Sequence, residues 1–253
     1  MLLLECNDLS FSYHTHTGEI SVIKSVSFRI HKGEFVSIVG PSGCGKSTLL
    51  GLLTGILSPE EGSIKIHYKQ KGTQSFYGYM LQQDHLLEWY DIWDNVCLGP
   101  KINHCLDNAC KEYLHTLLTR YQLDSFAHKK PSQLSGGMRQ RAALIRTLAM
   151  KPELLYLDEP FSALDYQSRL NAADDIGKII QKEGKTAVLV THDIGEAISL
   201  SSRVLVLSKR PATIVKEFVL PFQNTGLSSL EIRNLPEFST YFNPVSYTHL
   251  TLP

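Results

Sequence analysis

The chain has 253 residues, long enough to bury a sizeable core as one domain with an insertion or as two closely packed lobes. Its 25 basic residues cancel its 25 acidic ones, and no run of like charge exceeds a few residues, which argues against a dedicated nucleic-acid or anionic-membrane surface. Five cysteines (Cys6, Cys44, Cys97, Cys105 and Cys110) form an odd set without metal-ligand pairing, and fit free thiols in a reducing cytosol better than a disulfide framework.

From the N-terminus, MLLLECNDLS turns polar after four residues and has no basic start, so no signal peptide is predicted. LLECNDLSFSY, SVIKSVSFRI and SIKIHY alternate apolar and polar residues and predict a small antiparallel layer ahead of the core. FVSIVG (35–40), ELLYLDEP (153–160), TAVLVTHD (186–193) and RVLVLS (203–208) are apolar on both faces and separated by helical stretches, the pattern of central parallel strands in an α/β fold. The longest apolar run, LLGLLTGIL (49–57), is far too short to cross a bilayer. Between about 92 and 132 no strand pattern occurs. There Leu106, Cys110, Tyr113, Leu114, Leu117, Leu118 and Tyr121 follow helical spacing and predict an amphipathic helix, part of a helical insertion over about 92–150.

The segment GPSGCGKST (40–48) follows FVSIVG directly and runs into a helical stretch. Gly40, Gly45, Lys46 and Ser47 match the phosphate-binding pattern G-x-x-x-x-G-K-[ST] in its required strand-to-helix context. Glycines let backbone N–H groups turn inward around phosphates, the helix N-terminus adds its positive end, Lys46 reaches the outer phosphates, and the Ser47 hydroxyl ligates magnesium. The candidate nucleotide contacts are therefore Gly40, Pro41, Ser42, Gly43, Cys44, Gly45, Lys46, Ser47 and Thr48. In LLYLDEP, Asp158 ends a buried strand, a position from which a carboxylate holds magnesium through water. Glu159 is then placed to polarise a water attacking the γ-phosphate. Alone, such an acidic pair reads as a helix cap; beside the first loop it reads as catalytic. His192 ends the strand of VLVTHD, on the same sheet edge as the phosphate loop, which suits a γ-phosphate sensor.

A second glycine-rich loop, LSGGMRQR (134–141), also opens a helix. Ser135 can cap it, with Met138, Ala142, Ile145 and Ala149 as its apolar stripe. A helix start of this kind is an anion site. The chain's own nucleotide is already cradled by residues 40–48, so the second loop addresses a nucleotide on another molecule, and two copies head to tail would bury two ATPs.

Together these segments resemble the nucleotide-binding subunit of ATP-binding cassette (ABC) transporters: GPSGCGKST as Walker A, LSGGM as signature, LLYLDEP as Walker B, SALD (162–165) as D-loop and His192 as switch histidine, in order over about residues 2–240. The resemblance implies a P-loop NTPase core of α/β class with an N-terminal antiparallel subdomain and an inserted helical one. It implies ATP and Mg2+ as cofactors, with Ser135, Gly136 and Gly137 on the partner's γ-phosphate and Asp165 in the D-loop. It also implies that Tyr13, which the residues alone read as a strand tyrosine, stacks on adenine, and that Gln82 senses magnesium and faces a membrane subunit. Within the family, GYMLQQDHLLEWYDIWDNV and VTHDIGEAISLSSRVLVLSKRPATI look like the nitrate, sulfonate and taurine importer group, which typically has proline where Glu88 stands. Expected partners are a second copy, an integral membrane permease and, indirectly, a solute-binding protein, with no nucleic acid; the expected location is the cytoplasmic face of the membrane. A soluble ABC ATPase of the repair or translation type is the alternative, disfavoured by zero net charge, a single cassette and the lack of a long coiled-coil insertion. A P-loop kinase would have no use for LSGGM. The tail NPVSYTHLTLP lacks charge and helical period, and is expected to be truncated or foreign sequence without function from about Asn243.

Overall fold

Alternating side chains draw the first part of the chain into antiparallel strands. In the computed structural model, which describes residues 1–16, 18–68, 75–222 and 225–251, β1 (Leu2–Thr15) pairs with β2 (Gly18–His31). Leu4, Cys6 and Leu9 point into the core, and the change of phase between Cys6 and Leu9 coincides with a break in register, with Asp8 and Ser25 left-handed at φ 50° and 48°. The chain then enters β3 (Phe35–Val39), α1 (Lys46–Leu53) and β4 (Glu61–Ile66), which pairs antiparallel with β1 and completes a three-stranded sheet in the order β2-β1-β4.

The middle of the chain carries β5 (Tyr77–Met80), α2 (Ile92–Val96), α3 (Leu98–Ile102), α4 (Asn108–Arg120), α5 (Gly136–Leu148), β6 (Leu154–Asp158) and α6 (Tyr166–Lys182). It closes with β7 (Thr186–Thr191), α7 (Ile194–Leu200), β8 (Arg203–Leu207), β9 (Ile214–Val219), α8 (Ser229–Arg233) and α9 (Phe238–Thr251). Two compact units result, Met1–Tyr68 with Thr186–Pro253, and Lys69–Lys185.

In the first unit β7, β3 and β8 lie parallel and β9 joins β8 antiparallel. Every residue of β3 and β7 is buried, as their unbroken apolar runs require. Val39, Val204 and Val206 share a core with Ala197 and Ile198 of α7, Ile232 of α8 and Val245 of α9. The tail thus departs from its sequence pattern: the helix continues past Asn243 with Pro244 inside it, because Val245 reaches this core and is fully buried there. Tyr241 and Phe242 pack on the same cluster one turn earlier, and Phe238 two turns earlier.

In the second unit β5 and β6 pair in parallel. Leu114, Leu117 and Leu118 form the buried stripe of α4, while Leu106 precedes the helix and Tyr121 caps its end. On α5 the buried face is wider than the predicted stripe: Gln140, Ala143, Leu144 and Leu148 join Ala142 and Ile145, since α2, α4, α6 and β5 all pack around this helix. Among the described residues no helix is long and apolar enough to cross a membrane.

Candidate active site: a phosphate loop and two strand edges

The first unit builds the loop at the end of β3. Val39 pairs with Thr191 of β7 in parallel register, so Gly40 and His192 leave the sheet at one edge. A Cβ on Gly40 would stand 2.9 Å from Cys44 Sγ and 3.0 Å from Leu207 Cβ, closer than packed carbons approach, so glycine is what lets the loop start. Gly45 caps α1 at φ +122°, where an added Cβ would also meet Val22 Cγ1 at 2.7 Å. Lys46 is only 6% exposed, and its ammonium donates to Gly40 O at 2.8 Å and Pro41 O at 3.1 Å. Carbonyls thus hold a buried cation whose stronger partner would be a phosphate oxygen. Ser42, Gly43 and Ser47 are exposed, whereas Cys44 is tucked inward, where burial pushes its thiol above its ordinary range against the nearby charge of Lys46.

Tyr13 stands beside this loop. Its hydroxyl lies 3.3 Å from Thr48 Oγ1, its ring meets Phe11 edge-on at 5.0 Å, and 42% of the residue is exposed. It is both a strand tyrosine and an aromatic surface at the start of α1. His192 is exposed one residue beyond β7, on a turn that is locked: Asp193 N donates to Thr191 Oγ1 at 3.0 Å, Thr191 Oγ1 to Glu196 Oε2 at 2.7 Å, and Glu196 N to Asp193 Oδ1 at 2.9 Å.

The second unit carries the carboxylates. Met80 pairs with Leu157, so exposed Gln82 and the pair Asp158–Glu159 emerge at one edge of the two-stranded segment. Asp158 is 8% exposed and accepts from the Tyr79 hydroxyl at 3.0 Å. Burial, then the Asp158 charge, push the Tyr79 phenol well above its ordinary value, so it stays a neutral donor. No motif singles out Tyr79; its only sequence signal is a polar tip in the short apolar stretch YGYM. Glu159 is left-handed at φ 44°, and Ser162 holds it there through N–H and hydroxyl donation to Glu159 O at 3.2 and 3.0 Å. That conformation costs about 1–3 kcal/mol for a non-glycine residue and clusters at functional sites.

The signature loop and the D-loop also meet in this unit. Ser135 Oγ accepts from Met138 N at 3.3 Å, capping α5. A Cβ on Gly136 would stand 2.5 Å from Leu164 Cδ2, whereas one on Gly137 would meet nothing within 4 Å, which leaves the helix start open. Asp165 caps α6 by accepting from Ser168 N at 3.1 Å, and its bonds to Ser168 hold its carboxyl below the usual range. A cavity of about 450 Å³ opens between Gln83, Asp84 and His85 on one side and Gly136, Arg139 and Gln140 on the other.

These residues fit a nucleoside triphosphate and its metal. The glycine-rich loop presents amides and a buried lysine to phosphate. Ser47 in the first unit and Asp158 in the second each carry a hard oxygen of the kind that suits magnesium. Among the described residues no group of three or more His, Cys, Asp or Glu could hold a metal ion, and a magnesium completed by phosphate oxygens and water needs no such cage.

Comparison with known proteins agrees with this chemistry. Residues 23–162 match the ABC transporter family. The chain is 41% identical to the ABC transporter ATP-binding protein YtlC of Bacillus subtilis, over 97% of its own length and 95% of the relative's. It is 36% identical to the taurine import ATP-binding protein TauB of Ruegeria pomeroyi over 94% and 89%, and 39% identical to the nitrate transport protein NasD of Klebsiella oxytoca over 86% and 84%. Among solved structures, the dimeric post-hydrolysis state of the ATP-binding cassette MJ0796 with ADP and Pi matches at a TM-score of 0.71 and 30% identity, covering 86% of this chain and 99% of that one. A phosphate loop, a strained glutamate after an apolar strand and a second glycine loop capping a helix thus coincide with a family match over most of the length, and the chain belongs to the ABC transporter family as an ATP-binding, ATP-hydrolysing subunit.

Proposed function

We propose that this ATPase energises import of a small solute, nitrate, sulfonate, taurine or a related organic compound, through a separate membrane permease. It works at the cytoplasmic face as a head-to-tail pair with a second copy, the solute arriving by way of a binding protein. The observation that carries this reading is the second glycine loop: Gly137 is unobstructed at the start of α5, on a chain whose own phosphate loop is already complete. The relatives' names, which include taurine import and nitrate transport, support the direction and the solute class.

In this reading the amides of residues 40–48 and Lys46 hold the outer phosphates, Tyr13 stacks on adenine, and Ser47, Asp158 and Gln82 supply oxygens to magnesium, which neutralises phosphate charge when bound. Glu159 takes a proton from the attacking water, and His192 bonds the γ-phosphate. Ser135, Gly136 and Gly137 donate to the partner's γ-phosphate, with Asp165 at the same junction. Residues 2–240 form the nucleotide-binding domain with its helical insertion at about 92–150, and residues 243–253 take no part in the chemistry.

The test mixes two inactive chains, Lys46→Ala and Ser135→Arg. Recovery of ATPase activity on mixing is the expected result. Mixed dimers that form and stay inactive would remove the second loop from its role across the pair. Copurification with a permease, against ribosome or DNA, separates the transport reading from a soluble ABC ATPase.

A further inference from the structure

The loop between β8 and β9 lies against the phosphate loop, though no motif connects them. It is a closed turn: Ser208 N donates to Thr213 O at 3.0 Å, Thr213 N to Ser208 Oγ at 2.9 Å, and Ser208 Oγ to Lys209 O at 2.9 Å. It is also sewn to β2, since Ala212 N donates to Val22 O at 2.8 Å and Lys24 N to Ala212 O at 3.0 Å, with Ala212 fully buried. From this anchored turn Arg210 extends to the tip of the phosphate loop, where Nε donates to Gly43 O at 3.1 Å and Nη2 donates to the same oxygen. Leu207, which ends β8, closes against the loop's first residue, so one segment braces both Gly40 and Gly43.

Gly43 O belongs to the same peptide as Cys44 N–H. Gly43 sits at φ +72°, a conformation in which that peptide can flip at little cost. A guanidinium on the carbonyl fixes the peptide's orientation and polarises it, strengthening the bond that Cys44 N–H donates to Pro41 O at 3.2 Å, the same carbonyl that accepts from Lys46 Nζ. Arginine suits the task because its charge is permanent and its planar fork makes two bonds from one side chain.

We propose that Arg210 is a positioning residue of the ATPase site: it holds the Gly43–Cys44 peptide in the turn that its N–H closes onto Pro41 O, so fixing the shape of the loop around Lys46, and raises nucleotide affinity without touching the reacting atoms. This rests on the reading of residues 40–48 as the phosphate cradle.

The experiment measures MgATP dissociation constants by fluorescent-nucleotide displacement, together with KM and kcat, for the full chain and for Arg210→Ala, Arg210→Lys, Lys209→Ala and Lys46→Ala. Arg210→Ala is expected to weaken binding about tenfold, the scale of one charge-assisted hydrogen bond, and to raise KM more than it lowers kcat. Arg210→Lys restores part of the affinity, and Lys209→Ala, the neighbouring exposed cation, leaves it unchanged. Unaltered affinity in Arg210→Ala, or an equal loss in Lys209→Ala, overturns the proposal. If Lys46→Ala also binds normally, the cradle itself has been misassigned; if Lys46→Ala fails to bind while Arg210→Ala binds normally, Arg210 alone has. Melting temperatures without nucleotide guard against misfolding, and an exposed arginine should leave them in place.

Discussion

Arg146 grips the backbone of Asp84 and its neighbour from the side of α5: Nη2 donates to Asp84 O and Nη1 to His85 O, both at 2.7 Å. Arg139, two turns earlier on the same helix, places Nε 3.1 Å from Asp84 Oδ2. From the other side Asn95, fully buried in α2, accepts from Leu87 N at 2.7 Å and donates to Leu87 O at 3.1 Å. The segment that follows Gln82 is therefore clamped between two helices, one of which begins at the signature loop.

Arg146→Ala should release this clamp. One part-buried carbonyl and one exposed carbonyl lose charge-assisted partners, which costs about 2 kcal/mol. In a chain of this size that lowers the melting temperature by about 5–10 °C. ATPase activity should fall further than stability explains, because Gln82 loses its fixed base. Thermal melting beside steady-state turnover checks both, and a variant with normal melting and normal turnover would sink the idea.

Glu159→Gln keeps the size and left-handed backbone of the native residue while removing the proton acceptor. Nucleotide binding should persist and hydrolysis should fall by about 10²- to 10⁴-fold, the usual weight of a general base. Single-turnover phosphate release measures the loss. Light scattering with and without magnesium ATP should then find a dimer only with nucleotide, since the closed pair cannot reset.

Much of this was legible in residue order. The runs behind β3, β6, β7 and β8 are apolar on both faces because those strands are buried on both faces, and the glycine loops carry their own local chemistry. β5 escapes because four residues with a central glycine give no period, and β9 because IVKEFV, an edge strand, mixes its faces. The pairs Tyr79–Asp158, Arg146–Asp84 and Arg210–Gly43 escape for another reason. Their partners lie 79, 62 and 167 positions apart, and only tertiary folding brings such distant side chains and carbonyls together.

Tyr79→Phe tests the first of these pairs. Without the hydroxyl, Asp158 loses a neutral donor that orients its carboxylate while its burial is unchanged. The magnesium concentration for half-maximal turnover should rise several-fold, about the effect of losing one hydrogen bond to a charged group, while binding of ATP without magnesium stays the same. The phenol adds an alkaline signature. Its value is raised above the ordinary 10.0, so the linked stability is complete below pH 10 and is lost as pH rises beyond it. Tyr79→Phe should show a shallower alkaline limb than the parent in melts taken from pH 9 to 11, the remainder coming from groups such as Tyr113 and Tyr121 whose phenols burial also raises. Magnesium dependence and alkaline melting both equal to the parent's would dismiss the tyrosine as a positioning group.

Deletion of residues 243–253 separates packing from chemistry at the other end of the chain. Val245 is fully buried among Val204, Val206 and Ile232, and removing its side chain from that cluster forfeits about 1.5–3 kcal/mol of apolar burial. Pro244 lies inside α9 and cannot donate a helical hydrogen bond, so the ladder lacks one rung where the Val245 contact anchors the helix. The shortened chain should therefore melt about 3–10 °C lower and yet turn over ATP at the parental rate per folded molecule. Phe238, Tyr241 and Phe242 remain to cover the cluster, and none of the deleted residues lies among those assigned to nucleotide. A turnover loss at temperatures where the deletion variant is fully folded would assign the tail a part in the ATPase cycle, and would contradict its separation from the cassette.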